Sequence, residues 1–172
     1  MTAAGPLVIL IGPPGAGKST VGALLAVRLK AGFLDTDDEV AAVARKDVGD
    51  IFIEDGEAAF RALERPVVER ALGYRGVVAL GSGAVLDESA RRLLAGRNVV
   101  YLETSFAEMS RRVGMNKARV PVPGNPRGML RAMLTERLPL YANLARVTVQ
   151  TDDREPDEVA GQIADATTEA GQ

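Results

Sequence analysis

One stretch, Gly12-Pro13-Pro14-Gly15-Ala16-Gly17-Lys18-Ser19-Thr20, limits the folds open to this chain more than any other. It fits the pattern G-x-x-x-x-G-K-[ST]. In that pattern the amides of a glycine-rich turn, a helix N-terminus and a lysine ammonium converge on one anion. The flanks supply the context the pattern requires. Leu7-Val8-Ile9-Leu10-Ile11 is an unbroken apolar run, suited to a strand buried on both faces. Thr20 to Lys30 reads as a helix with Val21, Leu24, Leu25 and Leu29 along one side. A strand, a tight loop and a helix in this order predict a nucleotide phosphate site. It draws on Gly12, Pro14, Gly15, Ala16, Gly17, Lys18, Ser19 and Thr20.

The rest of the chain repeats the alternation. Gly32 to Asp37 reads as a short strand ending in acidic residues, followed by helices over Asp38 to Lys46 and Val48 to Ile53. Glu57 to Leu72 is amphipathic, with Phe60, Leu63, Val67, Val68 and Leu72 on its apolar side; Pro66 predicts a kink or break within it. Val77-Val78-Ala79-Leu80 is a third strand, closed by Gly81-Ser82-Gly83. A helix over Asp87 to Ala95, a strand over Asn98 to Leu102 and a helix capped by Ser105 come next. Gly114 to Arg127 is rich in proline and glycine, carries Lys117, Arg119 and Arg127, and reads as a mobile loop. A helix over Met129 to Asn143, a fifth strand over Val147 to Val149 and a closing helix from Pro156 to Ala170 complete the chain. Strands alternating with helices predict an α/β fold: three layers, with a five-stranded parallel sheet and helices on both faces. Ligands in such sheets sit beyond the carboxyl ends of the strands. At 172 residues the chain is expected to be a single domain.

Composition restricts the chemistry. The chain has no cysteine and no histidine, which excludes thiolate catalysis, disulfides and the commonest general base. A proton acceptor is then expected to be a carboxylate, and a metal to be a hard ion on oxygen ligands, such as magnesium. A formal net charge of −2 and the absence of tryptophan argue against a nucleic-acid partner. No apolar run approaches a membrane span, and no secretory leader is apparent, so a cytoplasmic location is expected.

The acidic strand end offers the first candidates. In a strand, Asp35 and Asp37 share a face. Beside a nucleotide site, one such carboxylate suits magnesium together with the Ser19 hydroxyl, and the other suits acceptance of a proton from an attacking hydroxyl. Arg61 and Glu64 are three residues apart on a helix, a spacing that also fits an ordinary surface pair. Gly81-Ser82-Gly83 permits close backbone approach to a ligand, or is simply a tight turn. Arg111 and Arg112 could lay a guanidinium on an adenine face, and Arg137 precedes an apolar patch.

Taken together, Leu34-Asp35-Thr36-Asp37, the run Asp55-Gly56-Glu57…Phe60-Arg61…Glu64, and Arg137-Leu138-Pro139-Leu140-Tyr141 resemble the shikimate kinase family of P-loop proteins. The resemblance covers about Leu7 to Ala166. It implies transfer of the ATP γ-phosphoryl group to the 3-hydroxyl of shikimate. A substrate-binding segment would span about residues 36–64 and a lid about 114–127, in a chain expected to be monomeric. It implies that Asp37 acts on the reacting hydroxyl, that Arg61 and Arg137 pair with the substrate carboxylate, and that Gly81, Ser82 and Gly83 face the same molecule. Asp35 and Ser19 would hold Mg2+, Lys18 and Arg119 would neutralise the phosphoryl group in transit, and Arg112, Arg154 and Pro156 would surround the adenine.

Two positions depart from the family's pattern. The strand-end turn usually has three glycines, and Ser82 replaces the middle one; were φ positive there, serine would cost roughly a kcal/mol. The lid usually reads Arg-Pro-Leu-Leu, whereas this chain has Arg119-Val120-Pro121-Val122, leaving Arg127 as another candidate lid cation. Two alternatives remain at this level: a same-fold kinase acting on another hydroxy acid such as gluconate, and a non-catalytic nucleotide-binding relative. Turnover that depends on shikimate separates both from the family expectation.

Overall fold

The computed structural model describes residues 5–115 and 126–170. Among them are five strands, β1 (Val8–Ile11), β2 (Gly32–Asp35), β3 (Gly76–Ala79), β4 (Val99–Glu103) and β5 (Val147–Gln150). Eight helices accompany them: α1 (Lys18–Arg28), α2 (Thr36–Ala44), α3 (Val48–Glu54), α4 (Glu57–Ala71), α5 (Glu88–Leu94), α6 (Phe106–Met115), α7 (Pro126–Leu144) and α8 (Pro156–Ala170). A 3-10 turn, Ala84–Leu86, precedes α5.

The sheet is parallel throughout, in the order β2-β3-β1-β4-β5. Alternation along β1 shows why the apolar run of the sequence must be continuous. Val8 and Leu10 face a core closed by Val21, Leu25 and Ala26 of α1 and Val159, Ala160 and Ile163 of α8. Ile9 and Ile11 face the opposite core, closed by Val68 and Ala71 of α4, Leu72 just after it, Leu94 of α5 and Tyr141 of α7. Both faces are therefore dry, and β1 is the central strand. Its neighbours β3 and β4 come later in the chain, so the chain leaves β1 in one direction and later returns to its other side. The crevice beyond the strand ends opens at this reversal, with the glycine-rich loop at its centre.

A third cluster, Val40, Ile51, Phe60 and Val67, knits α2, α3 and α4 into a small helical unit beyond the end of β2. It carries residues 36–64, the predicted substrate segment. Helix α4 runs unbroken through Pro66. The missing amide and the ring clash disfavour this by about 3 kcal/mol; burial of Phe60 and Val67 on either side of Pro66 holds the helix across it. Of the predicted loop over residues 114–127, residues 116–125 lie outside the described residues, and both of its ends are helical. Helix α6 extends to Met115 and α7 starts at Pro126, so Arg127 belongs to a helix. Proline is favoured in the first turn of a helix, where its missing N–H has no partner to lose. No helix among the described residues is long and apolar enough to cross a membrane.

Candidate active site

The loop after β1 is shaped by three glycines with positive φ: Gly12 at 154°, Gly15 at 75° and Gly17 at 92°. Gly12 is also sterically required, since a Cβ there would lie 2.7 Å from the Leu102 carbonyl oxygen. Gly17 caps α1, with no side chain bonded to the helix end and no acidic residue in its first turn. Such an end favours an anion. The Lys18 ammonium folds back over the loop, donating to the Gly12 carbonyl at 2.8 Å and the Pro13 carbonyl at 3.0 Å. Arg112 closes one side of the loop, its Nη1 donating to the Gly15 carbonyl at 2.9 Å while its Nε holds Glu108.

The acidic pair is arranged differently from the sequence expectation. Asp35 ends β2, but Asp37 lies in the first turn of α2, so the two do not share a strand face. Asp35 is the N-cap of α2. Its Oδ1 accepts from the Asp37 amide at 2.9 Å and its Oδ2 accepts from the Ser19 hydroxyl. The reason is local: an aspartate before a helix satisfies free amides more favourably than it extends a strand. This brings a hydroxyl and a carboxylate oxygen together at the rim of the phosphate loop. The pair fits magnesium, which takes one or two protein oxygens and otherwise binds phosphates and water.

A second group of side chains gathers around the turn after β3. Glu64 is only 4% exposed, and its Oε1 accepts from Arg61 Nη1 at 2.7 Å. Its Oε2 is buried with no hydrogen-bond partner. Burial pushes the Glu64 carboxyl up, the neighbouring Arg61 opposes this, and Asp37 adds to the rise. The Arg61 guanidinium lies 5.2 Å from the Phe60 ring and 6.0 Å from the Phe52 ring, which confines it.

Side-chain crowding explains the glycines at 81 and 83. Neither has positive φ. A Cβ on Gly81 would lie 2.5 Å from Asp37 Oδ1 and 3.0 Å from Glu64 Oε2; one on Gly83 would lie 2.2 Å from Arg61 Nη2. Ser82 is not among the residues with positive φ either, so serine pays no backbone cost there. The Gly81 amide donates to the buried Thr36 hydroxyl at 2.9 Å, fixing the turn against the start of α2. From α7, Arg137 reaches Ser82 Oγ at 3.2 Å, and the Tyr141 hydroxyl donates to the Ser82 carbonyl at 2.6 Å. Arg137 is 8% exposed, and its Nε is buried without a partner.

The structure thus brings the phosphate loop, Ser19 and Asp35 together on one side, and Asp37, Arg61, Gly81, Ser82, Gly83 and Arg137 on the other. Arg154 bonds instead to the Gln150 carbonyl and Gln162 Oε1, at the corner between β5 and α8 that Pro156 opens. Arg119 lies outside the described residues. Sequence reasoning missed Thr36, Phe52 and Tyr141 as parts of the site. It also missed Asp152, which accepts from the Thr104 hydroxyl at 2.7 Å and staples the end of β4 to the end of β5. Thr36 and Tyr141 carried a signal, since both lie in the stretches that carry the family resemblance, Tyr141 one helical turn beyond Arg137.

An anion cradle on one side and two guanidiniums converging beside an aspartate on the other suit phosphoryl transfer to an acidic small molecule. That defines the class as the small-molecule kinases of the P-loop fold. The shikimate kinase family model matches residues 14–168, and the chain belongs to the shikimate kinase family. It is 56% identical to a shikimate kinase of Thermobifida fusca over 96% of this chain and 97% of that one. It is 47% identical to that of Streptomyces avermitilis over 94% of this chain and 95% of that one. Among solved structures it is similar to the shikimate kinase of Acinetobacter baumannii in complex with shikimate. That match has a TM-score of 0.88 and 33% identity, and covers 96% of this chain and 94% of that one.

Proposed function

We propose that this protein transfers the γ-phosphoryl group of ATP to the 3-hydroxyl of shikimate, giving shikimate 3-phosphate and ADP. The observation that carries the reading is the convergence of Arg61 and Arg137 on the turn that also crowds Asp37. A forked cation pair selects a planar carboxylate, and an aspartate beside it selects a hydroxyl on the same molecule.

In this reading Arg61 and Arg137 hold the shikimate carboxylate, which sets the ring's orientation. Glu64 holds Arg61 in place from below, and the amides of the 81–83 turn border the ring. Asp37 orients the 3-hydroxyl and accepts its proton as the oxygen attacks the γ-phosphorus. The bond to the β,γ-bridging oxygen then breaks, and the negative charge passes to ADP. Gly15, Ala16, Gly17, Lys18, Ser19 and Thr20 cradle the phosphates, with Lys18 leaving its own loop carbonyls to pair with them. Arg112 borders the nucleotide, and Arg154 and Pro156 border the adenine. Ser19 and Asp35 would hold Mg2+, which supplies charge neutralisation on the phosphate oxygens when bound. Catalysis rests on positioning and electrostatics, with little covalent chemistry for the protein to perform.

The test is Asp37→Asn in a coupled assay of ADP release. The variant is expected to bind ATP and shikimate while losing about 100-fold or more in kcat. Near-normal turnover would remove Asp37 from the base role. A response to gluconate and none to shikimate would replace the acceptor.

A further inference from the structure

Ser82 stands where the turn after β3 meets α7, and it is tied to that helix twice. Its carbonyl accepts from Tyr141, and its Oγ accepts from Arg137 Nη1 at 3.2 Å. Arg137 and Tyr141 lie one helical turn apart on α7, so both bonds come from one helix face. Tyr141 is fully buried and stacks on Tyr101 of β4, with ring centroids 5.2 Å apart, which fixes that face against the sheet. The two ties differ in what they require. The bond from Tyr141 uses backbone and survives any residue at position 82. The bond from Arg137 exists only because residue 82 has a hydroxyl.

Arginine has a long, flexible stem, and a guanidinium that must meet a planar carboxylate loses that freedom on binding. Arg137 needs an anchor of this kind. Its Nε has no partner, unlike Arg61, whose fork is held by Glu64. We propose that Ser82 is a positioning residue for the acceptor: its hydroxyl fixes one Nη of Arg137 and so presents the rest of the fork already aligned to the substrate carboxylate. The proposal rests on the reading of Arg137 as a carboxylate ligand. Ser82 does for Arg137 what Glu64 does for Arg61, with a neutral acceptor in place of a charged one. A neutral acceptor aligns the guanidinium without adding to the charge of Glu64, which already lies within Coulombic reach of Arg137.

The experiment is a double-mutant cycle read as separate KM values for shikimate and ATP, with kcat alongside. Ser82→Ala and Ser82→Gly each keep the backbone bond to Tyr141, and both are expected to melt like the parent protein. Each should raise the KM for shikimate about 5-fold, the size of effect expected when one typical hydrogen bond is lost. The KM for ATP and kcat should stay within about twofold. Arg137→Lys should raise the KM for shikimate strongly, because a lysine cannot offer the fork. In that background Ser82→Ala should add less than about twofold. An unchanged KM in Ser82→Ala and Ser82→Gly, with Arg137→Lys still impaired, overturns the positioning role and leaves the site reading standing. An equal effect of Ser82→Ala in both backgrounds also overturns it, since Ser82 would not be acting through Arg137. An unchanged KM in Arg137→Lys overturns the site reading and the positioning role together.

Discussion

Gly83→Ala separates geometry from stability at this site. Gly83 has φ −96°, a conformation open to alanine, so the backbone gains no strain. The new Cβ would instead sit 2.2 Å from Arg61 Nη2 and 2.7 Å from Arg61 Cζ. An unstrained contact needs about 3.5 Å, so the guanidinium must retreat by roughly 1.3 Å. It has little room to do so. Glu64 Oε1 holds Nη1 at 2.7 Å, and the rings of Phe52 and Phe60 border it. Giving up the bond to the buried Glu64 costs about 1.5–3 kcal/mol, partly offset by about 0.5 kcal/mol from the glycine-to-alanine change in the unfolded chain. Unfolding in urea should therefore show a loss of about 1–2.5 kcal/mol, small enough for the fold to survive. Binding should suffer more. A displacement of this size removes a charge-assisted contact worth about 2–3 kcal/mol, or about 30- to 160-fold in the KM for shikimate. The KM for ATP should not change, because the phosphate loop is untouched. Initial rates over a matrix of both substrates give the two constants. A shikimate KM within threefold of the parent, in a protein folded as expected, would refute the placing of Arg61 on the acceptor's carboxylate.

Three further outcomes follow from the same geometry. Gly81→Ala puts a Cβ 2.5 Å from Asp37 Oδ1, so it should lower kcat by at least tenfold with a smaller effect on the KM for shikimate, as measured by the same assay. Asp87 caps α5 and accepts from Arg65 Nε at 2.6 Å, so Asp87→Ala should lose about 1 kcal/mol of stability in urea at pH 7 without affecting the KM values. The Arg65 bond, with help from the Ser89 amide and against a smaller opposing effect of burial, holds the Asp87 carboxyl below its usual range. Its stabilisation is therefore present above the unfolded value of about 3.9 and is lost as pH falls through the folded value. The gap between parent and Asp87→Ala should close progressively in urea titrations below about pH 4, and a gap that stays constant to pH 2 would contradict this.

Much of the sheet was legible because its strands are dry on both sides. Leu7 to Ile11 has no polar residue to confuse a period, and the phosphate loop after it admits few other readings. Helix ends were less legible, because competing local interactions decide them. Asp37 reads as a strand residue until the capping role of Asp35 is seen, and the other Asp35 oxygen is engaged by the Ser19 hydroxyl from α1. Pro66 reads as a break because proline's cost is local, while the burial that overrides it comes from α2, α3 and the sheet. Arg61 and Glu64 look like a surface pair at helical spacing, and only tertiary packing reveals that Glu64 is buried. Position 82 was legible as a departure in side chain, but its meaning was not. The expected backbone penalty is absent, and the hydroxyl meets an arginine 55 positions further along the chain.

The most direct test of the account is ADP formation by the purified protein with ATP and magnesium, with and without shikimate, and identification of the product by phosphorus NMR. The account predicts ADP release that depends on shikimate, with one phosphate found on the 3-hydroxyl. ADP release at the same rate without shikimate, or a phosphate on a different hydroxyl, would contradict it.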